Sequence, residues 1–128
     1  MNRVVLDASA LLAVLNGEPG SDKLTPELLS SATASTVNLA EVHGKLVGRG
    51  LDPRDAWEAA ISPIREATDF TAEHARTAGG LIAETRALGL SLGDRACLAL
   101  ALALKAPVYT ADRSWTKLKL DIQLRVIR

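Results

Sequence analysis

Short apolar runs alternate along the chain with longer stretches in which apolar residues recur at helical spacing. Residues 3–6, 67–70 and 107–110 are predicted as short strands, and the alternation over residues 122–127 is typical of an edge strand. Apolar periodicity and capping signals predict helices over residues 8–15, 25 onward, 37–47, 52–61, 71–88 and 94 onward. Strands separated by helices favour an α/β fold with a mainly parallel sheet.

The helix predicted to begin at Asp94 is the most apolar segment of the chain. Residues 96–104 contain no polar side chain, so this helix must be packed on nearly every side. Asp94 follows Gly93, and an aspartate at a helix N-terminus is an ordinary N-cap. Capping is the simplest interpretation of Asp94 taken alone, and the other acids of the chain suggest a second one.

The composition indicates one compact domain over residues 1–128. Hydrophobic residues make up 48% of the chain and aromatic residues 3%, so we expect a core of Leu, Ala, Val and Ile. The single cysteine excludes an internal disulfide and a cysteine-based zinc site. No signal-peptide pattern and no apolar run of roughly 20 residues is present, so we expect a soluble cytoplasmic protein that does not enter a membrane. The net charge of zero argues against coating of nucleic acid through bulk charge, although residues 113–128 carry five basic side chains against one acidic one.

Four acidic residues are placed where they could meet. Asp7 and Asp112 each follow a predicted strand, and the carboxyl ends of parallel strands lie at one edge of a sheet. Asp94 begins the helix before the second of these strands, and Glu41 lies one turn into the helix over residues 37–47. Each acid also has a simpler interpretation: the strand-end acids suit turns, and Glu41 could form an i,i+4 ion pair with Lys45 worth only ~0.3–0.5 kcal/mol.

A cluster of these carboxylates would need a cation or protons. At a separation of about 4 Å, two carboxylates repel by roughly 4 kcal/mol at an effective dielectric constant near 20. Oxygen ligands without His or Cys favour Mg²⁺, or Mn²⁺ as a substitute, over Zn²⁺. Such ions activate water and stabilise charge on a phosphodiester. We therefore assign Asp7 and Asp94 as direct metal ligands, and Glu41 and Asp112 as ligands of the metal directly or through water.

Four segments of the chain together resemble the PIN-domain ribonucleases, specifically the VapC toxins of bacterial toxin–antitoxin pairs. They are residues 5–13, 35–42, 89–101 and 108–115, of which the third is the most specific. The resemblance implies a Rossmann-like three-layer fold with a central, mainly parallel sheet of about five strands. It also implies a Mg²⁺-dependent endoribonuclease, a homodimer, and inhibition by a small antitoxin protein that covers the active site.

The resemblance assigns site residues one by one. The family's catalytic acids correspond to Asp7, Glu41, Asp94 and Asp112. Ser9 and Thr110 match hydroxyl positions that support the metal or its waters.

Basic residues near the acids have two interpretations. Arg95 and Arg113 each directly follow a site acid, so they could hold RNA phosphates bidentately or pair with carboxylates. Lys45 could serve similarly, with the ion pair to Glu41 favoured.

The remaining candidates are assigned structural positions. His43 and His74 stand alone on predicted helices and are expected at the surface rather than in a metal site. Cys97 lies within the apolar helix and is expected in the core. Trp57 and Trp115 could stack on bases, but packing is the favoured prediction for both.

Two other functions compete with the nuclease. A phosphoryl-transfer protein could use Asp7 as a nucleophile, but such proteins usually need a lysine or a second aspartate nearby, and residues 8–10 supply neither. A catalytically inactive PIN module that binds RNA or a protein partner is the alternative, and the complete set of acids argues against it.

Overall fold

The structure is a computed structural model that describes residues 2–128. Its centre is a sheet of five strands in the order β3-β2-β1-β4-β5, in which every neighbouring pair is parallel. The strands are β1 (Val4–Leu6), β2 (Ala32–Ser35), β3 (Glu66–Thr68), β4 (Val108–Thr110) and β5 (Leu124–Val126). The α/β architecture predicted from the sequence is therefore confirmed.

Seven α-helices connect the strands within this part of the chain. They are α1 (Ala8–Asn16), α2 (Pro26–Leu29), α3 (Thr36–Gly48), α4 (Pro53–Ile61), α5 (Ala72–Gly80), α6 (Ile82–Thr85) and α7 (Leu92–Leu104). Three 3-10 helices, Ser21–Lys23, Arg86–Leu88 and Arg113–Lys117, complete the connections. None of the helices described in residues 2–128 is long and apolar enough to cross a bilayer.

The sheet separates two hydrophobic clusters, which makes the fold three-layered. Leu6 of β1 packs into a cluster formed with α1, α3 and α4, whereas its neighbour Val5 packs into a second cluster with α7. Successive side chains of a strand point to opposite faces, so one buried strand supplies both clusters. Residues 96–101 of α7 are buried, as the run of apolar residues predicts, and Cys97 lies in the core.

Three elements differ from their predictions. The strand β2 has the sequence Ala-Thr-Ala-Ser and is not predicted, because Thr33 is its only β-branched residue and the other three are small. All four residues are nevertheless buried, and β2 lies between β1 and β3. The helix predicted over 71–88 is broken after Gly80, where two successive glycines weaken the helix, and continues as α6 and a 3-10 turn. The helix predicted from Asp94 begins at Leu92, so Gly93 is helical.

Two aromatic side chains lie, wholly or in part, elsewhere than expected. His74 is buried on α5, and its ring packs edge-on against that of Phe70 with ring centroids 6.4 Å apart, so the prediction of a surface position is wrong. Trp115 is fully buried as predicted. Trp57 packs edge-on against His43, with ring centroids 5.7 Å apart, and is 40% exposed on α4, so its packing is only partial.

Candidate active site

A cleft of about 340 Å³ opens at the carboxyl edge of the sheet, and all four acids predicted from the sequence line it. Glu18 and Arg128, which form an ion pair, also line the cleft, as do Lys45 of α3 and Ser91, the N-cap of α7. The full lining is Asp7, Ala8, Ser9, Leu12, Glu18, Glu41, Lys45, Ser91, Asp94, Asp112 and Arg128. A larger cavity of about 940 Å³ lies at the amino edge, but among residues 2–128 Asp121 is the only carboxylate in its lining. The smaller cleft is therefore the candidate site.

Asp7 is the buried acid of the cleft, with only 3% of its surface exposed. It caps α1, and its Oδ1 accepts hydrogen bonds from the Ala10 amide at 2.8 Å and the Ser9 hydroxyl at 2.7 Å. Its Oδ2 accepts from the Thr110 hydroxyl at 2.6 Å. Burial raises the pKa of Asp7 to about 6, against the lowering effect of these hydrogen bonds, and the charge of Asp94 raises the pKa further.

The two hydroxyl residues predicted from the sequence lie against Asp7 and orient it. Ser9 Oγ accepts a hydrogen bond from the Ala111 amide at 2.9 Å, and Thr110 Oγ1 accepts one from the Asp112 amide at 3.1 Å. Because each hydroxyl oxygen accepts a hydrogen bond from a backbone amide, each hydroxyl proton can be donated to Asp7. The network joins the end of β1 to the end of β4.

Asp94 occupies the third position of α7 instead of the N-cap. Ser91 is the N-cap: its hydroxyl accepts from the Asp94 amide at 3.1 Å, and Asp94 Oδ2 accepts from the Ser91 amide at 2.9 Å. This reciprocal capping box satisfies two amides of the first helical turn. Within residues 2–128, Asp94 Oδ1 has no hydrogen-bond partner, so one oxygen of the carboxylate is free at the cleft.

Glu41 is bonded to Asn38 of its own helix and lies against α7, and it does not form an ion pair with Lys45. The ion pairs among residues 2–128 are Arg3–Glu66 and Arg128–Glu18, so the interpretation of Glu41 as the partner of Lys45 is wrong. Glu41 Oε1 instead accepts a hydrogen bond from Asn38 Nδ2 at 2.9 Å. A Cβ built on Gly93 would overlap the carboxylate of Glu41, so this acid lies directly against the first turn of α7.

Asp112 is exposed at the other side of the cleft and caps the 3-10 helix Arg113–Lys117. Its Oδ1 accepts hydrogen bonds from the Ser114 amide at 2.9 Å and the Ser114 hydroxyl at 2.8 Å. The predicted role of Asp112 in a strand-end turn and its place in the cleft are thus compatible.

The basic residues fall in three different places. Arg95 is half-buried and its Nη1 donates to the Ala78 carbonyl oxygen at 2.9 Å, so it ties α7 to α5 and lies outside the lining of the cleft. Arg113 is exposed and lines a neighbouring groove beside Arg128. Lys45 lines the acidic cleft itself.

The donor set of the cleft is compatible with a hard divalent cation. Within residues 2–128, no three His, Cys, Asp or Glu side chains converge tightly enough to form a complete ligand group. Mg²⁺ does not require one, because it keeps several waters and is usually held by one or two carboxylates. The acidic and hydroxyl side chains around Asp7 offer a metal only oxygen ligands. A bound cation would also offset the free-energy cost of ionising this buried acid. The residues present therefore fit Mg²⁺ better than a metal that needs nitrogen or sulfur ligands.

Asn38, which bonds to Glu41 from behind the cleft lining, is not among the site residues predicted from the sequence. It is 1% exposed and belongs to the buried face of α3, together with Leu39, Val42 and Leu46. A polar side chain on an apolar face, three residues before Glu41, was the available signal, because positions i and i+3 of a helix are neighbours.

Several solved structures with the same fold are described as toxin–antitoxin proteins. The DNA-bound VapBC complex from Salmonella typhimurium contains a chain 19% identical to this one, with full coverage of both and a TM-score of 0.75. VapBC2 from Rickettsia felis, bound to a DNA fragment from its promoter, is 21% identical over 98% of each chain, with a TM-score of 0.74. VapC20 from Mycobacterium tuberculosis, a Sarcin-Ricin loop cleaving toxin, is 19% identical over 91% of this chain and 96% of its own, with a TM-score of 0.65.

No curated protein sequence matches the chain. The family model described as the PIN domain matches residues 4–120. This span contains strands β1 to β4 of the sheet and all four acids of the cleft. The chain therefore belongs to the PIN-domain family.

Proposed function

We propose that this protein is a Mg²⁺-dependent endoribonuclease and the toxin of a type II toxin–antitoxin pair. The observation that carries the proposal is the cleft itself: in a PIN-domain chain, four acids from four separate segments line one opening around a buried carboxylate. A structural role does not account for this grouping, because clustered carboxylates destabilise the folded state unless a cation or protons offset their repulsion.

The acids divide by position into two kinds of ligand. Asp7, buried and held by three hydrogen bonds, and Asp94, with a free oxygen at the cleft, would hold the metal directly. Glu41 and Asp112, both exposed, would hold it directly or through water. When bound, Mg²⁺ would lower the pKa of a water molecule and offset the charge that develops on the phosphodiester.

The other residues of the cleft orient these acids and receive the RNA. Ser9 and Thr110 direct their protons to Asp7, which keeps its carboxylate in one orientation. Lys45 brings a positive charge into an acidic cleft and suits an RNA phosphate, since an ammonium binds phosphate as a point charge. Arg113 lies on the adjacent groove, where it would contact phosphate farther along the strand.

The proposal includes a protein partner. The VapBC structures that share this fold are complexes, and the family resemblance implies an antitoxin that covers the active site and a homodimer of the toxin. A search for a small antitoxin-like reading frame immediately upstream tests the partner, and co-expression of such an antitoxin should protect RNA from cleavage. Light scattering of the purified chain should give twice the monomer mass.

Expression of the protein with and without Asp94→Asn tests the proposed activity. Asn keeps the size of the side chain and removes its charge. We expect arrested growth and discrete new RNA 5′ ends only with the unmodified protein. Equal effects of the two proteins on growth and on RNA ends would refute the nuclease and favour a PIN module that acts by binding.

A further inference from the structure

The side-chain amide of Asn38 connects two parts of the cleft that are 55 residues apart in sequence. Asn38 Nδ2 donates one hydrogen bond to Glu41 Oε1 at 2.9 Å and a second to the Gly93 carbonyl oxygen at 3.0 Å. Asn38 is 1% exposed, and its bond to the Gly93 carbonyl oxygen is buried, whereas its bond to the exposed Glu41 is partly buried. One amide group thus fixes a carboxylate on α3 to the first turn of α7.

The orientation of this amide is set by its partners. A rotation by 180° about the last side-chain bond would place Oδ1 against two oxygen atoms, which accept hydrogen bonds and cannot donate them when Glu41 is ionised. In the orientation observed, Asn38 Oδ1 is buried and has no hydrogen-bond partner among residues 2–128. A role in packing alone does not explain Asn at this position, because an apolar side chain would fill the space without leaving a buried oxygen unpaired.

Gly93 confines the same carboxylate from the opposite side. A Cβ at this position would overlap both carboxylate oxygens of Glu41, and a helical glycine otherwise lowers helix stability. Glu41 therefore lies between a donor that attracts it and a backbone surface with no side chain to displace it. Its carboxylate is held in one place although its exposed side chain has several rotatable bonds.

We propose that Asn38 and Gly93 are positioning residues that fix the Glu41 carboxylate toward the metal site of the cleft. The inference rests on the proposed function, since it gives Glu41 its task. It predicts that Asn38 acts only through Glu41, and that loss of Asn38 weakens metal binding as well as RNA cleavage.

Binding of Mn²⁺ to the purified protein, followed by electron paramagnetic resonance, tests the proposal without RNA. Removing a residue that orients a metal ligand typically weakens metal binding by roughly 10- to 100-fold. We expect Asn38→Ala and Gly93→Ala each to weaken Mn²⁺ binding by about that factor. We expect neither change to weaken it further in a Glu41→Ala background, where the carboxylate that they position is absent.

Thr33→Val is the matched control for loss of a buried hydrogen bond. The Thr33 hydroxyl is buried in β2, bonds to the Thr68 hydroxyl at 2.7 Å, and is outside the lining of the cleft. We expect this variant to lower the melting temperature and leave Mn²⁺ affinity unchanged. Gly93→Ala keeps the test decisive if Asn38→Ala fails to fold, because alanine favours the helix at this position.

Two results would overturn the inference. Unchanged Mn²⁺ affinity in folded Asn38→Ala and Gly93→Ala would show that Glu41 does not need them, and equal losses with and without Glu41 would show that they act by another route.

Failure of the proposed function would look different. If the unmodified protein binds no Mn²⁺, the nuclease proposal and the metal role of Glu41 both fall. In that case NMR of the Asn38 side-chain amide still reports the contact: its protons should shift in metal-free Glu41→Ala protein. Asn38 amide chemical shifts that are unchanged in Glu41→Ala would contradict the hydrogen bond between Asn38 and Glu41.

Discussion

Replacing Asp7 with asparagine should stabilise the metal-free protein at neutral pH. Asp7 is buried at the end of β1, and burial raises the pKa of its carboxyl from 3.8 to about 6. The folded protein therefore binds this proton more tightly than the unfolded chain does. Stability falls as pH rises from about 4 to about 6, because ionising the buried group costs more in the folded state.

The magnitude follows from the two pKa values. A tenfold change in a proton equilibrium corresponds to about 1.4 kcal/mol, so the change from 3.8 to about 6 corresponds to about 3 kcal/mol above pH 6. Asparagine removes this cost and is as good an N-cap as aspartate. It replaces the oxygen that accepts from Thr110 with a donor, which offsets about 1 kcal/mol. The net gain is about 2 kcal/mol, or roughly 7 °C in melting temperature for a domain of this size.

Urea denaturation of both proteins at pH 4 to 8 in EDTA measures the effect. We expect Asp7→Asn to gain stability relative to the unmodified protein as pH rises through the window between 4 and 6, and to keep the gain above it. Asp121→Asn, an exposed acid at the opposite edge, is the control and should follow the unmodified protein. The ionisation cost assigned to Asp7 would be refuted if the two proteins differed in free energy of unfolding by the same amount at every pH. It would also be refuted if Asp7→Asn were less stable than the unmodified protein at pH 7.5.

Two further predictions concern the residues around the acids. Thr110→Val removes the donor to Asp7 Oδ2, so the pKa of Asp7, measured by carboxyl NMR, should rise above about 6. The free energy of unfolding at pH 7.5, measured by urea denaturation, should fall by about 1–3 kcal/mol. A lower pKa of Asp7 in this variant would contradict the hydrogen-bond assignment. Lys45→Ala should reduce the slope of log affinity for RNA against log salt concentration by about 0.7 in a filter-binding titration. Lys119 is exposed and outside the cleft, so Lys119→Ala should leave this slope unchanged. An unchanged slope for Lys45→Ala would exclude a contact between Lys45 and phosphate.

The sequence predicts much of the fold because apolar runs and caps are local signals. Val5 and Val108 lie in short apolar runs that mark β1 and β4, and the acids that follow these strands must then lie at one edge of a parallel sheet. The strand Ala32–Ser35 escapes prediction because only its neighbours, and not its own side chains, make it a strand.

The contacts inside the cleft were less accessible to prediction. Glu41 and Lys45 have favourable helical spacing, yet Glu41 turns to Asn38 because the amide is buried and α7 closes the space beside it. Arg95 follows a site acid in sequence, but one helical step rotates it by about 100° toward α5, where it bonds to a carbonyl oxygen. Such choices depend on residues far away in the chain and not on local spacing.

Cleavage of RNA by the purified protein tests the proposed metal-dependent nuclease activity most directly. A defined RNA substrate would be incubated with the unmodified protein and with Asp94→Asn, in Mg²⁺ and in EDTA. We expect discrete products only with the unmodified protein in Mg²⁺, and recovery of activity when Mg²⁺ replaces EDTA. Cleavage that persists in EDTA, or equally in Asp94→Asn, would contradict a nuclease that depends on metal held by these acids.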